Sequence, residues 1–578
     1  MNAGLLPAVP LLAVDDLHVD FSTRNGIVKA VRGVSLTVAE GETLGVVGES
    51  GSGKSVTAFA VTRLLEASGR ITGGHIRFRG QDITQASAKQ LRSLHGAAVS
   101  MIFQNPRAAL NPIRTVGLQL ADAINAHEQV SAGEGRRRAL ELLKSVLIRD
   151  PEKRLDAYPH ELSGGMCQRV MIAMAIAGKP SLLIADEPTT GLDVTTQKTV
   201  MDLVARIIAE RGMSMILITH DLGLAACYCQ RVMVMEQGKV VEEAVPRTLF
   251  SQPQHPYTKR LVAASPTATS TLADLAPFHD RPGVMAGPEP VIPARDAPMG
   301  RDGRFNGDHG TVGPPIPGTP PLLEVQNLVK RYERGVVAVD DVSFQIAAGE
   351  SLGLVGESGS GKSTISRLVC RLIDASEGQI LFDGQSIGDR PSRSFHASPV
   401  RKDIQIVFQD PTESLNPRYN AFACIAHPLR RLLNMKDGAA LTARVRQCAT
   451  RTGLPLDLLE RFPHQLSGGQ KARIGIARAI ACRPRLLILD EPTAALDVSV
   501  QAIILQLLDS LRRQDGLSLL FVSHDLNVVR MMCERIVVLR LGKIVEIGAN
   551  ETIFRDARDP YTRELIDAVL NISDHRQG

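Results

Sequence analysis

Gly48-Glu49-Ser50-Gly51-Ser52-Gly53-Lys54-Ser55 fits the pattern GxxxxGK[ST], with Val56 following. Glycines allow backbone conformations in which several N–H groups face one anion. A lysine adds a point charge for β- and γ-phosphates, and the serine adds a hydroxyl for Mg2+. Further on, the short apolar run Leu182 to Ala185 ends in Asp186-Glu187. Such a run suits a buried parallel strand, and ligands of α/β sheets gather at the carboxyl ends of those strands. Asp186 is an acid of the kind that holds Mg2+ through its water shell. His220 follows a second buried run, MSMILIT, at the same kind of strand end. Leu162-Ser163-Gly164-Gly165 is a loop able to offer N–H groups and a helix N-terminus to an anion. Its spacing predicts a helix from Gln168, stopped by Gly178 and Pro180.

Every one of these parts occurs twice. Gly356-Glu357-Ser358-Gly359-Ser360-Gly361-Lys362-Ser363-Thr364 repeats the first motif, so Lys54 returns as Lys362, 308 residues on. Gln104 returns as Gln409, 305 residues on. Ser163, Asp186, Glu187 and His220 return as Ser467, Asp490, Glu491 and His524, each 304 residues on. So constant a shift over so much chain predicts two whole domains rather than small stacked repeats.

The elements that must position these residues are legible in outline. Residues 11–47 alternate apolar and polar positions before the run TLGVVG, which predicts antiparallel strands feeding a central parallel strand. Residues 105–160 carry helical apolar spacing, and Arg136-Arg137-Arg138 reads as a solvated helix face. A further helix is expected over about 195–211. Residues 265–320 are rich in Pro and Gly and lack periodicity, as in a mobile linker.

Composition excludes some classes. Hydrophobic residues make up 44% of 578, enough for substantial cores, and the net charge of +5 comes with no basic stripe for nucleic acid. Eight cysteines without paired zinc spacing read as reduced thiols. The N-terminus lacks the basic start of a signal peptide. No run approaches the ~18 apolar residues of a spanning helix, so any membrane part must come from other chains.

The order loop, helix, strand, acid pair in Leu162–Asp193 and Leu466–Asp497 resembles the signature motif, Walker B and D-loop of ATP-binding cassette (ABC) ATPases. The resemblance implies an α/β protein of two tandem ABC ATPase domains. Each would have a P-loop RecA-like core, an antiparallel β subdomain and a helical subdomain. The expected boundaries are 11–264, a linker over 265–320, and 321–572. It implies ATP and Mg2+ as cofactors, with Ser55, Gln104, Asp186, Ser363, Gln409 and Asp490 around the metal. Glu187 and Glu491 would polarise the attacking water, and His220 and His524 would be the switch histidines. Phe21 and Tyr332, near the end of each first strand, would stack on adenine. The family's geometry pairs two cassettes head to tail. Lys54 and Ser55 would then work with Ser467, Gly468 and Gly469, and Lys362 and Ser363 with Ser163, Gly164 and Gly165. One departure stands out: Met166-Cys167 replaces the usual Gln and basic residue of the signature. Equal rates at the two sites are therefore not expected.

QNPRAALNP (104–112), QDPTESLNP (409–417), HPYTKRL (255–261) and DPYTREL (559–565) are similar to strings in ATPases of dipeptide, oligopeptide, nickel and glutathione importers. That resemblance implies two integral-membrane permeases and a periplasmic solute-binding protein as partners. It also implies a peripheral position on the cytoplasmic face of the inner membrane. A soluble twin-cassette translation factor is the weaker reading, because its family joins the cassettes by a charged helix. An exporter ATPase is disfavoured by the HPYT and LNP strings.

Overall fold

Thr43–Val47 and Ser351–Val355 are buried at all five positions, as strands sandwiched between layers must be. In the computed structural model each lies inside a six-stranded sheet. The structure describes residues 9–23, 26–275, 320–332, 335–494 and 496–570. Most of the expected linker, 276–319, lies outside the described residues.

Packing divides the chain into two units. One comprises Met1–Ala268 with Ala568–Gly578, the other Thr269–Asp567. Thr269 to Leu275 thus belong with the second unit. Leu275 is fully buried, and the Gln506 side-chain amide donates to the carbonyls of Leu272 (3.1 Å) and Leu275 (2.7 Å).

In the first unit the large sheet runs, edge to edge, through Lys239–Ala244, Arg231–Glu236, Thr43–Val47, Ser214–Thr219, Leu182–Asp186 and Val99–Ile102. The last five are parallel, and only Lys239–Ala244 pairs antiparallel, by a hairpin. The second unit repeats this with Lys543–Ala549, Arg535–Arg540, Ser351–Val355, Ser518–Val522, Leu486–Asp490 and Ile404–Val407. A separate antiparallel sheet accompanies each: Gly26–Val38, Leu12–Thr23, Gly69–Phe78 and Gln81–Asp82 in the first unit, with the same order in the second. The expected antiparallel strands over 11–47 and the central parallel strand are therefore present. Leu12, Val14, Val19, Leu44, Val46, Ile184 and Ile218 share one apolar core that binds both sheets of the first unit.

Between the edge strand and the signature lies the helical part. It comprises Pro106–Ala109, Val116–Asn125, Ala132–Ser145 and Pro151–Arg154 in the first unit. Ser131 caps Ala132–Ser145 by accepting from the Glu134 N–H. The three arginines on that helix are surface side chains engaged by carboxylates: Arg136 with Asp156, Arg137 with Glu134 and Glu141, Arg138 with Glu128 and Glu134. In the second unit Leu415, Ile425, Leu429, Val445, Leu459 and Ile474 form the corresponding helical core.

Candidate functional site

Four neighbouring parallel strands of each large sheet deliver one functional group apiece at their carboxyl ends. In the first unit Thr43–Val47 leads into residues 48–55, Ser214–Thr219 into His220, Leu182–Asp186 into Glu187, and Val99–Ile102 into Gln104. In the second unit the groups are residues 356–363, His524, Asp490-Glu491 and Gln409. Parallel pairing aligns the strand ends, so residues distant in sequence meet along one edge.

The loop at 48–55 needs its glycines. Gly48 has φ 149°, and a Cβ there would stand 2.3 Å from the Met235 carbonyl oxygen. Gly53 caps the helix Lys54–Val61 in a left-handed conformation, φ 100°, with the Ala30 carbonyl oxygen 2.7 Å from where a Cβ would be. Gly356 and Gly361 repeat both constraints, at 2.2 and 2.4 Å. A cradle that only glycine can line is what close approach of backbone to phosphate requires. The buried Lys54 ammonium donates to the carbonyls of Gly48 (2.7 Å) and Glu49 (2.8 Å), and Lys362 to those of Gly356 (2.6 Å) and Glu357 (2.8 Å). Both ammonium groups are therefore already held at the loop.

Ser55 Oγ donates to Asp186 Oδ1 at 2.9 Å, and Ser363 Oγ to Asp490 Oδ1 at 3.1 Å. Hard oxygen donors this close, beside a phosphate cradle, fit Mg2+, which prefers one or two carboxylates plus substrate phosphates and water. Burial pushes the Asp186 carboxyl up to about 6, with Glu187 adding to the rise and the Ser55 hydrogen bond opposing it. Asp490 is raised for the same reasons.

Glu187 and Glu491 stand in the left-handed region, φ 47° and 49°, each N–H donating to the next strand (Ile218 and Val522 carbonyls, 2.9 Å both). Non-glycine residues rarely adopt this conformation, and such strain concentrates at functional sites. The Gln104 amide donates to Glu187 Oε2 at 2.6 Å, and Gln409 to Glu491 Oε2 at 2.8 Å. His220 Nδ1 lies 3.3 Å from Glu187 Oε1, and His524 Nδ1 3.1 Å from Glu491 Oε2. Burial opposes ionisation of Glu187, but the His220 hydrogen bond and charge, Gln104 and Thr190 outweigh it and hold the carboxyl at about 2. Burial likewise disfavours the charged form of His220, yet Glu187 raises its pKa above the ordinary histidine value. His524 is raised in the same way by Glu491. The glutamine is thus placed on the glutamate.

The signature residues differ from expectation in one respect. The helix spans Gly164–Ile176 rather than starting at Gln168, so Gly164 and Gly165 form its first turn. Ser163 is the N-cap and accepts from the Met166 N–H, which moves the helix start four residues earlier. Ser467, Gly468 and Gly469 repeat this at the helix Gly468–Ile480. The two adenine candidates differ in their surroundings. Phe21 is packed against the first core, over Gly69, whereas Tyr332 is exposed with the Lys330 ammonium 5.2 Å from its ring.

Sequence reading missed three residues. Thr190 donates its hydroxyl to Glu187 Oε2 at 3.0 Å. Tyr257 and Tyr561 accept hydrogen bonds from the P-loops, at the backbone N–H groups of Glu49 (3.0 Å) and Glu357 (3.1 Å). A signal existed: both tyrosines sit in the HPYT and DPYT strings, and Thr190 lies three residues past Glu187.

Comparison with known proteins agrees with this geometry. The ABC transporter family profile matches residues 31–190 and 339–494. A second profile, the oligopeptide/dipeptide transporter C-terminal region, matches 241–285 and 545–578. The chain is 42% identical to the glutathione import ATP-binding protein GsiA of Salmonella choleraesuis, over 97% of this chain and 89% of that protein. It is 42% identical to GsiA of Escherichia coli O157:H7, over 99% and 91%. It is also 42% identical to the peptidoglycan transport ATP-binding protein YejF of Agrobacterium fabrum, over 97% of each.

Proposed function

Because the chain belongs to the ABC transporter family, with two cassettes in one polypeptide, we propose that it hydrolyses ATP to energise solute import. The solute class is peptides or related small molecules such as glutathione. The observation that carries this reading is the twofold constellation of Ser–Asp pair, glutamate, glutamine and histidine at four aligned strand ends. One dead copy would suffice for a scaffold; two complete copies suit an engine.

Residues 48–56 and 356–364 bind the phosphates, with Lys54 and Lys362 at the β/γ end. Ser55, Asp186, Ser363 and Asp490 hold Mg2+, with Gln104 and Gln409 beside it. When bound, Mg2+ neutralises developing phosphate charge. Glu187 and Glu491 orient and polarise the attacking water, with Gln104 and Gln409 fixing one carboxylate oxygen of each. His220 and His524, beside the glutamates that raise their pKa values, are placed to meet a γ-phosphate. Ser163, Gly164, Gly165, Ser467, Gly468 and Gly469 present helix N-termini suited to phosphate. In our reading each serves the nucleotide of the other cassette, with Phe21 and Tyr332 at the adenines.

Among the described residues no helix is long and apolar enough to cross a membrane. From the likeness to importer ATP-binding proteins we assign the membrane path to two permeases and solute capture to a periplasmic binding protein, with this chain peripheral at the cytoplasmic face of the inner membrane. The test is uptake by proteoliposomes holding this chain, the permeases and the binding protein. ATP-dependent uptake of labelled glutathione or peptide supports the reading. ATP hydrolysis unaffected by the permeases and without uptake contradicts it.

A further inference from the structure

The HPYT and DPYT strings identify a branch of the family, but their chemistry is unexplained by any role assigned above. In the first unit Pro256–Ala264 is a helix whose second residue, Tyr257, is 1% exposed. Its hydroxyl oxygen accepts from the Glu49 N–H at 3.0 Å. That N–H belongs to the Gly48–Glu49 peptide, whose carbonyl accepts from the Lys54 ammonium at 2.7 Å. One peptide plane is therefore pinned on both edges, by the tyrosine at its N–H and by the loop lysine at its C=O.

The second unit repeats the arrangement residue for residue. Tyr561, 2% exposed, accepts from the Glu357 N–H at 3.1 Å, and the Gly356 carbonyl accepts from Lys362 at 2.6 Å. The approach of each tyrosine is fixed from behind. Glu242 accepts the N–H groups of Gln254 (2.8 Å) and His255 (2.9 Å), and His255 Nδ1 caps the helix at the Tyr257 N–H. Glu546 accepts those of Arg558 (2.9 Å) and Asp559 (3.2 Å), and Asp559 caps Tyr561. The Arg540 guanidinium lies 4.7 Å from the Tyr561 ring.

We propose that Tyr257 and Tyr561 are positioning residues for ATP binding. Through the first peptide of each P-loop they set the backbone cradle and the carbonyl that holds its lysine. The pinned peptide needs such a hold because Gly48 and Gly356 sit in a positive-φ conformation, and glycine populates negative φ about as readily. The C-terminal segment is then a buttress for the nucleotide site, and the Glu242 and Glu546 carboxylates carry the loop that aims it.

This inference rests on the reading of residues 48–56 and 356–364 as the phosphate site. The test is the full chain carrying Tyr257→Phe and Tyr561→Phe, which keep both rings and remove only the hydroxyls. Loss of one hydrogen bond to a buried N–H weakens MgATP about five-fold. KM for MgATP should rise by that factor with kcat largely kept, because the glutamates, glutamines and histidines are untouched. A purely structural tyrosine would instead lower the folded fraction, reducing kcat at unchanged KM. Glu242→Gln with Glu546→Gln, which weakens the aim without touching either tyrosine, should raise KM in the same direction by less. Unchanged KM in the tyrosine double variant overturns the proposal. Failure of the unaltered chain to bind MgATP would overturn the phosphate-site reading itself.

Discussion

The two halves share their strand layout but differ around the glutamate and at the signature helix. In the first, Thr190 donates to Glu187 at 3.0 Å; in the second, the same position is Ala494, which has no hydroxyl to give. At the signature the balance reverses. Gln470 closes a capping box, its side chain accepting from the Ser467 N–H at 2.9 Å while Ser467 Oγ accepts from the Gln470 N–H. Met166 supplies only the backbone half of that exchange, and the neighbouring Cys167 is buried where Lys471 reaches Thr412 at 3.1 Å. The first half therefore offers its glutamate a hydroxyl that the second lacks at the same position, and the second has the better-capped signature helix.

The largest effect should come from what the halves share. Asp186, 2% exposed, has a folded pKa near 6, above the unfolded aspartate value. Such a group favours the folded chain in its protonated form; that contribution is complete below about pH 4 and lost as pH rises through about 6. At pH 7 without metal the charged Asp186 therefore costs about 3 kcal/mol. Asp186→Asn should stabilise the metal-free chain by up to that amount in chemical denaturation and abolish Mg2+-dependent nucleotide binding. Asp490→Asn should act in the same direction; opposite signs would show that the two metal sites are not alike.

A smaller effect should separate the halves. Thr190→Ala removes a hydrogen bond to a charged group, worth about 1.5 kcal/mol, or roughly ten-fold in the rate supported by Glu187. Single-turnover hydrolysis should become slower and less biphasic as the first site approaches the second. Ala494→Thr should accelerate the second site. The smallest effect belongs to Met166→Gln, which completes the first capping box and should add about 0.5–1 kcal/mol to stability. A shift of the urea midpoint measures it, and no shift would mean the first signature turn is held by other contacts.

Much of this was readable beforehand, and the reasons are physical. The loop carrying Lys54, and Asp186, His220 and Gln104, each close a short, mostly apolar run, and strand ends in a parallel sheet are where such residues meet. The start of the signature helix was misplaced because glycines suggested a loop, whereas Ser163 caps a helix that admits them in its first turn. Thr190 and Tyr257 could not be found by periodicity. Their partners, Glu187 and the Glu49 N–H, are chosen by a tight turn and by a contact spanning 208 residues. Residues 276–319, read as linker, lie outside the described structure.

The central claim is that two glutamates, one per half, drive ATP hydrolysis. Its most direct test is the MgATP turnover of purified chain carrying Glu187→Gln and Glu491→Gln together. Glutamine keeps the size and a hydrogen bond to Gln104 or Gln409 but cannot polarise water as a carboxylate does. The account predicts retained MgATP binding with turnover reduced by at least 10²-fold, in line with the loss of a general base. Undiminished hydrolysis by the double variant would contradict it.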